Sequence, residues 1–562
     1  MKIAVFTELH FNNLRGDFYG GLTAAVVALP LALAMGVASG AGPIAGLYGA
    51  IFVGLFAALF GGTPAQVSGP TGPMTVVMAA VFTHYTSLFP GDPAHGAALA
   101  FTVIMLGGLF QILFGILKLG RFIELVPHPV ISGFMSGIGV IIILLQIGPL
   151  LGYPGVAKPL AAAQAALGFL SHPQGSALTL GLVTLLIVYL VPRFSPALNR
   201  MLPAPLLALI VGTLTFLMLM PEGATPVLGE IPKGLPSPQT PVFVLGLLPD
   251  MIKSALMLAV LGTIDSLLTS LVADNITRTY HNPDRELIGQ GIGNTLAGIF
   301  GGLPGAGATM RTVVNVKAGG RTPISGALHA VVLLAVVLGA GGLAEDIPNA
   351  VLAGILVKVG TDIIDWDFLR RLRTAPKAGV VIMFSVFLLT VLVDLITAVA
   401  LGMVMASLLF MKRMTDLQLA SITAITEPVE ESPLSEEEST LLRATGGRVL
   451  LFHLAGPMSF GAAKGVARRL ANFDQYDVLV LDLSDVPQID FTSSRALEDL
   501  IVGAQSHARQ VCVVGLRTSV RHFLTTQGVL KHIAEDRLFP QRLAALKMAA
   551  EWIESQQTAQ TT

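Results

Sequence analysis

From about residue 22 to residue 411 the chain is a succession of apolar runs, interrupted by charged residues or by clusters of Gly and Pro. The runs fall near 22–39, 43–60, 66–83, 98–117, 129–151, 176–192, 204–220, 254–273, 287–300, 303–316, 324–343, 347–361, 378–393 and 394–411. They predict fourteen elements, several shorter than the roughly 20 residues a helix needs to cross a bilayer. From about Thr415 the pattern changes: an acidic stretch, "TEPVEESPLSEEES", leads into alternating strand-like and helix-like segments. "DVLVLDLS" and "QVCVVGL" read as buried strands and the runs between them as amphipathic helices, a small α/β domain. The division follows: a helical membrane body over 1–412, an acidic linker over 413–446 and a soluble domain over 447–555.

Two of the apolar runs are broken in a related way. "FGGTPAQVSGPTGPMTVV" (60–77) and "FGGLPGAGATMRTVV" (300–314) share FGG-x-P, a Gly-rich interruption and a closing TVV, about 240 residues apart. They are the third and tenth elements, seven positions apart, and that odd shift gives the two copies opposite topology. Lipid offers no partner to the backbone N–H and C=O groups that a break releases. Paired Gly/Pro interruptions at matching places in two halves therefore point to a transport site near the membrane midplane, where facing helix N-termini attract an anion. The alternative reading is close helix packing through small residues.

Composition fixes the solvent. With 53% hydrophobic and 12% charged residues, a chain of 562 residues has too little polar surface for a soluble globule of its size. A net charge of −1 gives no argument for nucleic acid, and the single Cys512 excludes an internal disulfide framework and a thiolate metal cluster. The N-terminus lacks the pattern of a cleaved signal and is expected to be retained. With that terminus inside, basic residues such as Arg121, Arg193, Arg278, Arg321, Arg370 and Lys377 gather in the inner loops. The expectation is a multi-pass protein of the cell inner membrane or plasma membrane, with N-terminus and tail cytoplasmic.

Charges inside the apolar runs are candidates for chemistry, because a lone charge at that depth costs several kcal/mol. Asp265 lies in "LMLAVLGTIDSLLTSLVA" and shares a helical face with Thr269; Arg311 lies inside the second break. Asp265 and Arg311 are expected to pair, as part of a site or as a lock between helices. Asp394 is read as capping the last hairpin. No Walker A lysine motif, cofactor motif or enzyme constellation is present.

"GDFYGGLTAAVVALPLALAMGVASGAGPIAGLYGAI", "SGPTGPM", "HPVISGFMSGIGVII" and "LAGILVKVG", in that order, resemble the sulfate permease family of anion transporters, to which the solute carrier 26 proteins belong. "VLVLDLSDVPQIDFTSSRAL" resembles its STAS domain, in whose relatives a phosphorylated hydroxyl lies at the place of Thr492, two residues after Asp490. The resemblance implies two inverted seven-segment repeats arranged as a core and a gate, usually in a homodimer. Carried over by position, it implicates Thr71, Ala308 and Thr309, with Asp265 and Thr269, in the anion site, and Arg311 at an arginine common in the family. Pro30 is followed by Leu31 where many sulfate-carrying members have Gln, which places the first helix nearer bacterial bicarbonate-type members.

The function expected is secondary active transport of a small carboxylate, a dicarboxylate such as fumarate or bicarbonate, coupled to protons. Asp265 would accept the proton and Arg311 attract the anion. Sodium held by Asp265, Thr269, Thr309 and backbone carbonyls is the alternative, with sulfate as another substrate. An uncoupled anion channel and a membrane-anchored signalling protein are the other readings.

Overall fold

The computed structural model describes residues 11–121, 126–156, 158–221, 223–229, 237–339, 345–393, 395–428, 434–459, 473 and 475–561. Asp394, the middle of the acidic stretch (429–433) and residues 460–472 lie outside the described residues. Two compact units divide the chain, Met1–Val404 and Met405–Thr562.

All fourteen elements appear as helices in the described residues. They are α1 (Leu14–Ala38), α2 (Pro43–Phe60), α3 (Gly72–Leu88), α4 (Pro93–Ile116), α5 (His128–Leu150), α6 (Gly175–Phe194) and α7 (Ala204–Leu219). The second set is α8 (Leu248–Thr277), α9 (Pro283–Ile299), α10 (Thr309–Lys317), α11 (Pro323–Gly339), α12 (Asn349–Ile363), α13 (Lys377–Leu392) and α14 (Leu395–Ala420). Pro at the first or second helical position starts many of them, where its missing N–H costs nothing. A further helix, Pro159–Ser171, was not expected; at 13 residues it is too short to span.

Packing repeats on a shift of seven. α1 packs on α11 as α8 packs on α4, α2 on α11 as α9 on α4, and α5 on α13 as α12 on α6. α2 with α9 and α5 with α12 pair with their own counterparts. Helices 1–4 and 8–11 thus form one set, the core, and α5, α6, α12 and α13, packed on one another, belong to the other, the gate.

The two breaks meet. β1 (Ser68–Gly69) and β2 (Ala306–Gly307) pair antiparallel, Ser68 opposite Gly307 and Gly69 opposite Ala306. Directly after them α3 and α10 begin. α10 has only nine residues, about 14 Å of helix, half the hydrocarbon thickness of a bilayer.

In the second unit five strands lie in the order β3 (Thr423–Ile425), β4 (Val449–Ala455), β5 (Val478–Asp485), β6 (Gln510–Val514), β7 (Leu538–Phe539). β3 is antiparallel to β4 and the rest are parallel. Alternate strand residues feed two cores: Phe452, Leu481 and Val513 on one face, Leu451, Val480 and Cys512 on the other. Burial on both faces explains the nearly continuous apolar strands. The stretch expected as an acidic linker is partly built into this unit. It supplies β3 and helix α15 (Glu436–Ala444), which opens with a capping box between Ser435 and Glu438. Its glutamates sit in the first turn, where they offset the helix dipole.

Candidate functional site

The backbone freed by the two breaks is satisfied from within the protein. Glu286 of α9, 1% exposed, accepts from the Gly62 and Thr63 amides at 2.8 and 2.9 Å and from Gln66 and Gln290 at 2.7 and 2.8 Å. Asn294 uses its side-chain amide like a strand neighbour: Oδ1 accepts from Gly305 N at 2.7 Å and Nδ2 donates to Gly305 O at 2.9 Å. Ser266 of α8 accepts from Gly307 N at 3.1 Å, and Thr312 of α10 accepts from Val67 N at 3.0 Å. These contacts answer the requirement that irregular backbone at membrane depth be covered by protein.

With the breaks held, the first-turn N–H groups of α3 and α10 have no acceptor inside their own helices. They open toward a cavity of about 310 Å³ whose lining includes Thr71, Asp265, Ala308, Thr309 and Arg311 from the core. Five of the six residues singled out in the sequence are therefore brought together. Thr269 stands behind them: its Oγ1 donates to the Gly307 carbonyl at 2.9 Å and lies 2.7 Å from Thr309 Oγ1. Asp265 and Arg311, 7% and 2% exposed, do not close into an ion pair. Arg311 Nη2 donates instead to the Pro70 carbonyl at 2.6 Å, and Asp265 Oδ2 has no hydrogen-bond partner. Thr71 Oγ1, the N-cap hydroxyl of α3, is likewise buried with no partner inside 3.5 Å, and it faces the Asp265 carboxylate. The cavity therefore offers a hydroxyl, two helix N-termini and a guanidinium to an anion, and a carboxylate oxygen to a cation or a proton.

The wall facing these groups comes from the gate: Met135 of α5, Val188 of α6, and Ile355, Lys358, Val359 and Asp362 of α12. Lys358 carries no signal in the sequence beyond its place in "LAGILVKVG", and Asp362, two residues past that run, carries none. Two more spaces continue the same seam. A neck of about 20 Å³, lined by Met35, Gly72, Thr75, Val76, Ile142 and Leu356, shares Met35 and Gly72 with the main cavity. Beyond it a space of about 570 Å³, lined by Ser39, Thr83, Gln146, Tyr153 and Asn349 among others, shares Gln146 with the neck.

Inverted half-helices that meet at the centre of a two-layered helical body, with unpaired polar groups turned into a cavity between the layers, define a transporter of the broken-helix class. The chain belongs to the sulfate permease family: the profile described as "Sulfate permease family" matches residues 14–386, and that of the STAS domain matches 443–545. It is thus an anion transporter of that family with a STAS tail. The chain is 48% identical over 549 residues to the bicarbonate transporter BicA of Synechocystis, covering 97% of this chain and 96% of that protein. A second bicarbonate transporter BicA, from Picosynechococcus, is 47% identical over 549 residues, with the same coverage. Among solved structures, the transmembrane domain of a cyanobacterium bicarbonate transporter BicA matches at 51% identity and a TM-score of 0.65, covering 70% of this chain and 99% of that one. The murine solute carrier 26 member A9, an anion transporter in the inward-facing state, shares the fold at 19% identity, with a TM-score of 0.79 over 96% of this chain and 92% of that one.

Proposed function

We propose that the protein is a secondary active transporter that carries bicarbonate into the cell together with one cation, by alternating access of the core against the gate. The observation that carries this reading is the pair of buried, unpartnered oxygens in one cavity, Thr71 Oγ1 and Asp265 Oδ2. Bicarbonate suits both. Its oxygens accept from the Thr71 hydroxyl, the α3 and α10 amides and Arg311, while its own O–H can donate to a carboxylate. Sulfate at neutral pH has no proton to offer, and fumarate brings a second charge. The identity to proteins named as bicarbonate transporters supports the same choice.

An anion entering a negative interior needs a driving cation, and Asp265 is the group to receive it. The sequence favours a proton because Arg311 brings a fixed positive charge that would repel a sodium ion at low dielectric, whereas a proton merely neutralises Asp265. Arg311 donates to the Pro70 carbonyl rather than to Asp265, and Thr269 Oγ1 lies within hydrogen-bond reach of both Thr309 Oγ1 and the Gly307 carbonyl beside α8. Unwound backbone carbonyls and hydroxyls of this kind suit sodium. The second reading, a proton on Asp265, is favoured by the same unpartnered Oδ2. We place the protein in the plasma or inner membrane with its N-terminus and STAS domain cytoplasmic, as a homodimer.

Reconstituted vesicles with imposed gradients test this. Inward sodium should drive accumulation of labelled bicarbonate well above fumarate or sulfate, and Asp265→Asn should abolish accumulation. Accumulation on a proton gradient in sodium-free buffer would transfer coupling to protonation of Asp265. Sodium-driven accumulation by Asp265→Asn would remove Asp265 from coupling.

A further inference from the structure

We propose that Lys358, on the α12 wall of the cavity, is the capture residue for the anion, and that Asp362 holds its place until the anion arrives. This rests on the reading of the cavity as an anion pathway and names a group in it that neither the sequence nor the site's core residues supply. The two side chains are one helical turn apart, form an ion pair through both carboxylate oxygens, and line the same cavity as Thr71, Asp265 and Arg311.

Their depth differs from that of the core charges. The side chains of Lys358 and Asp362 are 24% and 34% exposed, against 7% and 2% for Asp265 and Arg311 as whole residues. Lys358 is thus more accessible to solvent than Arg311, which favours it as the first cation that an anion entering from solvent would meet. The ammonium is also held in place. Its Nζ lies 5.4 Å from the centre of the Tyr189 ring of α6, and the Tyr189 hydroxyl is fixed at 2.7 Å from Thr361 Oγ1. A cation over an aromatic face keeps its charge available to a second partner.

Asp362 makes the arrangement an exchange rather than a fixed attraction. A partly exposed ion pair one turn apart is a weak tie, so an incoming oxyanion can replace the carboxylate without desolvating a lone ammonium. In the resting pair the two charges cancel and no strong trap forms on the gate, which would slow the onward step to the core. Because Lys358 is on the gate and Arg311 on the core, an anion shared between them touches both moving parts.

Vesicle uptake kinetics of the full-length chain test this. Lys358→Met should raise the bicarbonate KM about tenfold with the maximal rate within about twofold, and Lys358→Arg should restore KM, as expected for a lost and regained charge contact. Asp362→Asn should lower KM, because the internal competitor is gone. If the pair only stabilises α12, Lys358→Met and Asp362→Asn will shift KM alike or leave it unchanged, and either result overturns the inference. Wild-type uptake in the same preparation separates the two levels: a wild type that transports no anion fails the functional reading, whereas a competent wild type with an indifferent Lys358 fails this inference alone.

Discussion

Gly69 shows how narrow the tolerance at the site is. Its φ of +149° lies where side chains strain the backbone, and a Cβ there would meet Arg311 Nη1 at 2.8 Å and Ala50 Cα at 3.2 Å. Gly69→Ala should therefore displace the guanidinium rather than unfold the core, and raise the anion KM on the order of tenfold in vesicle uptake. Glu286 is the opposite case, a charge that holds structure. Four donors converge on it, so Glu286→Ala leaves several buried groups unpaired and should cost about 3 kcal/mol or more. A lowered unfolding temperature of the detergent-solubilised protein would register it. The two residues also mark what could be read in advance. Arg311 and Asp265 stood out because a charge in an apolar run is conspicuous on its own. Glu286 did not: "PDRELIG" reads as the polar end of a span, and three of its four donors are more than 200 residues away in the chain. The absence of an Asp265–Arg311 pair was hidden for the same reason, since the competing acceptor is the Pro70 carbonyl, a backbone atom with no signature in the side-chain pattern.

Among elements, the breaks were legible and their use followed from physics. A doubled motif in opposite topology predicted that 66–76 and 305–314 would meet, and β1 and β2 pair antiparallel there. Less visible was what the gate brings. Gly72, the first residue of α3, is the place where a Cβ would lie 2.7 Å from both Ile142 Cδ1 of α5 and Ile363 Cδ1 of α12. Gly72→Val should wedge core from gate at a contact that alternating access must make and break. The expected result is a maximal uptake rate several-fold lower, with a smaller change in KM; an unchanged rate would mean this contact does not move in the cycle. Short elements leave little trace in the sequence, because a membrane span is marked by length and apolar content. Pro159–Ser171 is too short, and the Ser435–Glu438 capping box lies in an acidic run that reads as linker.

At the scale of the whole molecule, β3 decides where the chain can be divided. A protein ending at Ala420 removes the entire sheet, whereas one that starts its tail at 447 strips β4 of its neighbour and leaves an open edge. Ending at Ala420 should give a monodisperse membrane unit that still transports in vesicles. A tail lacking β3 should aggregate in size-exclusion runs, and one starting at 421 should not. Acid should act on that tail through Asp482. Burial alone would lift its pKa, but hydrogen bonds from His453 and Ser484 and the charge of Arg542 hold it well below the usual carboxylate range. A carboxylate depressed in the folded state contributes stability that is complete above the unfolded value, about pH 4, and is lost as pH falls below it. Urea unfolding followed by Trp552 in a Trp366→Phe background should show a midpoint falling between pH 5 and pH 3, and Asp482→Asn should flatten that slope. Finally, the one thiol of the chain is locked away. Cys512 is fully buried on β6, and burial pushes its pKa up to about 11. At pH 8 the folded wild type should take up no maleimide and the denatured chain one equivalent. The natural protein is thus already a silent background for chemical footprinting: a cysteine placed at Thr83 or at Val359 would report, by whether it labels, which end of the seam is open to water at that moment.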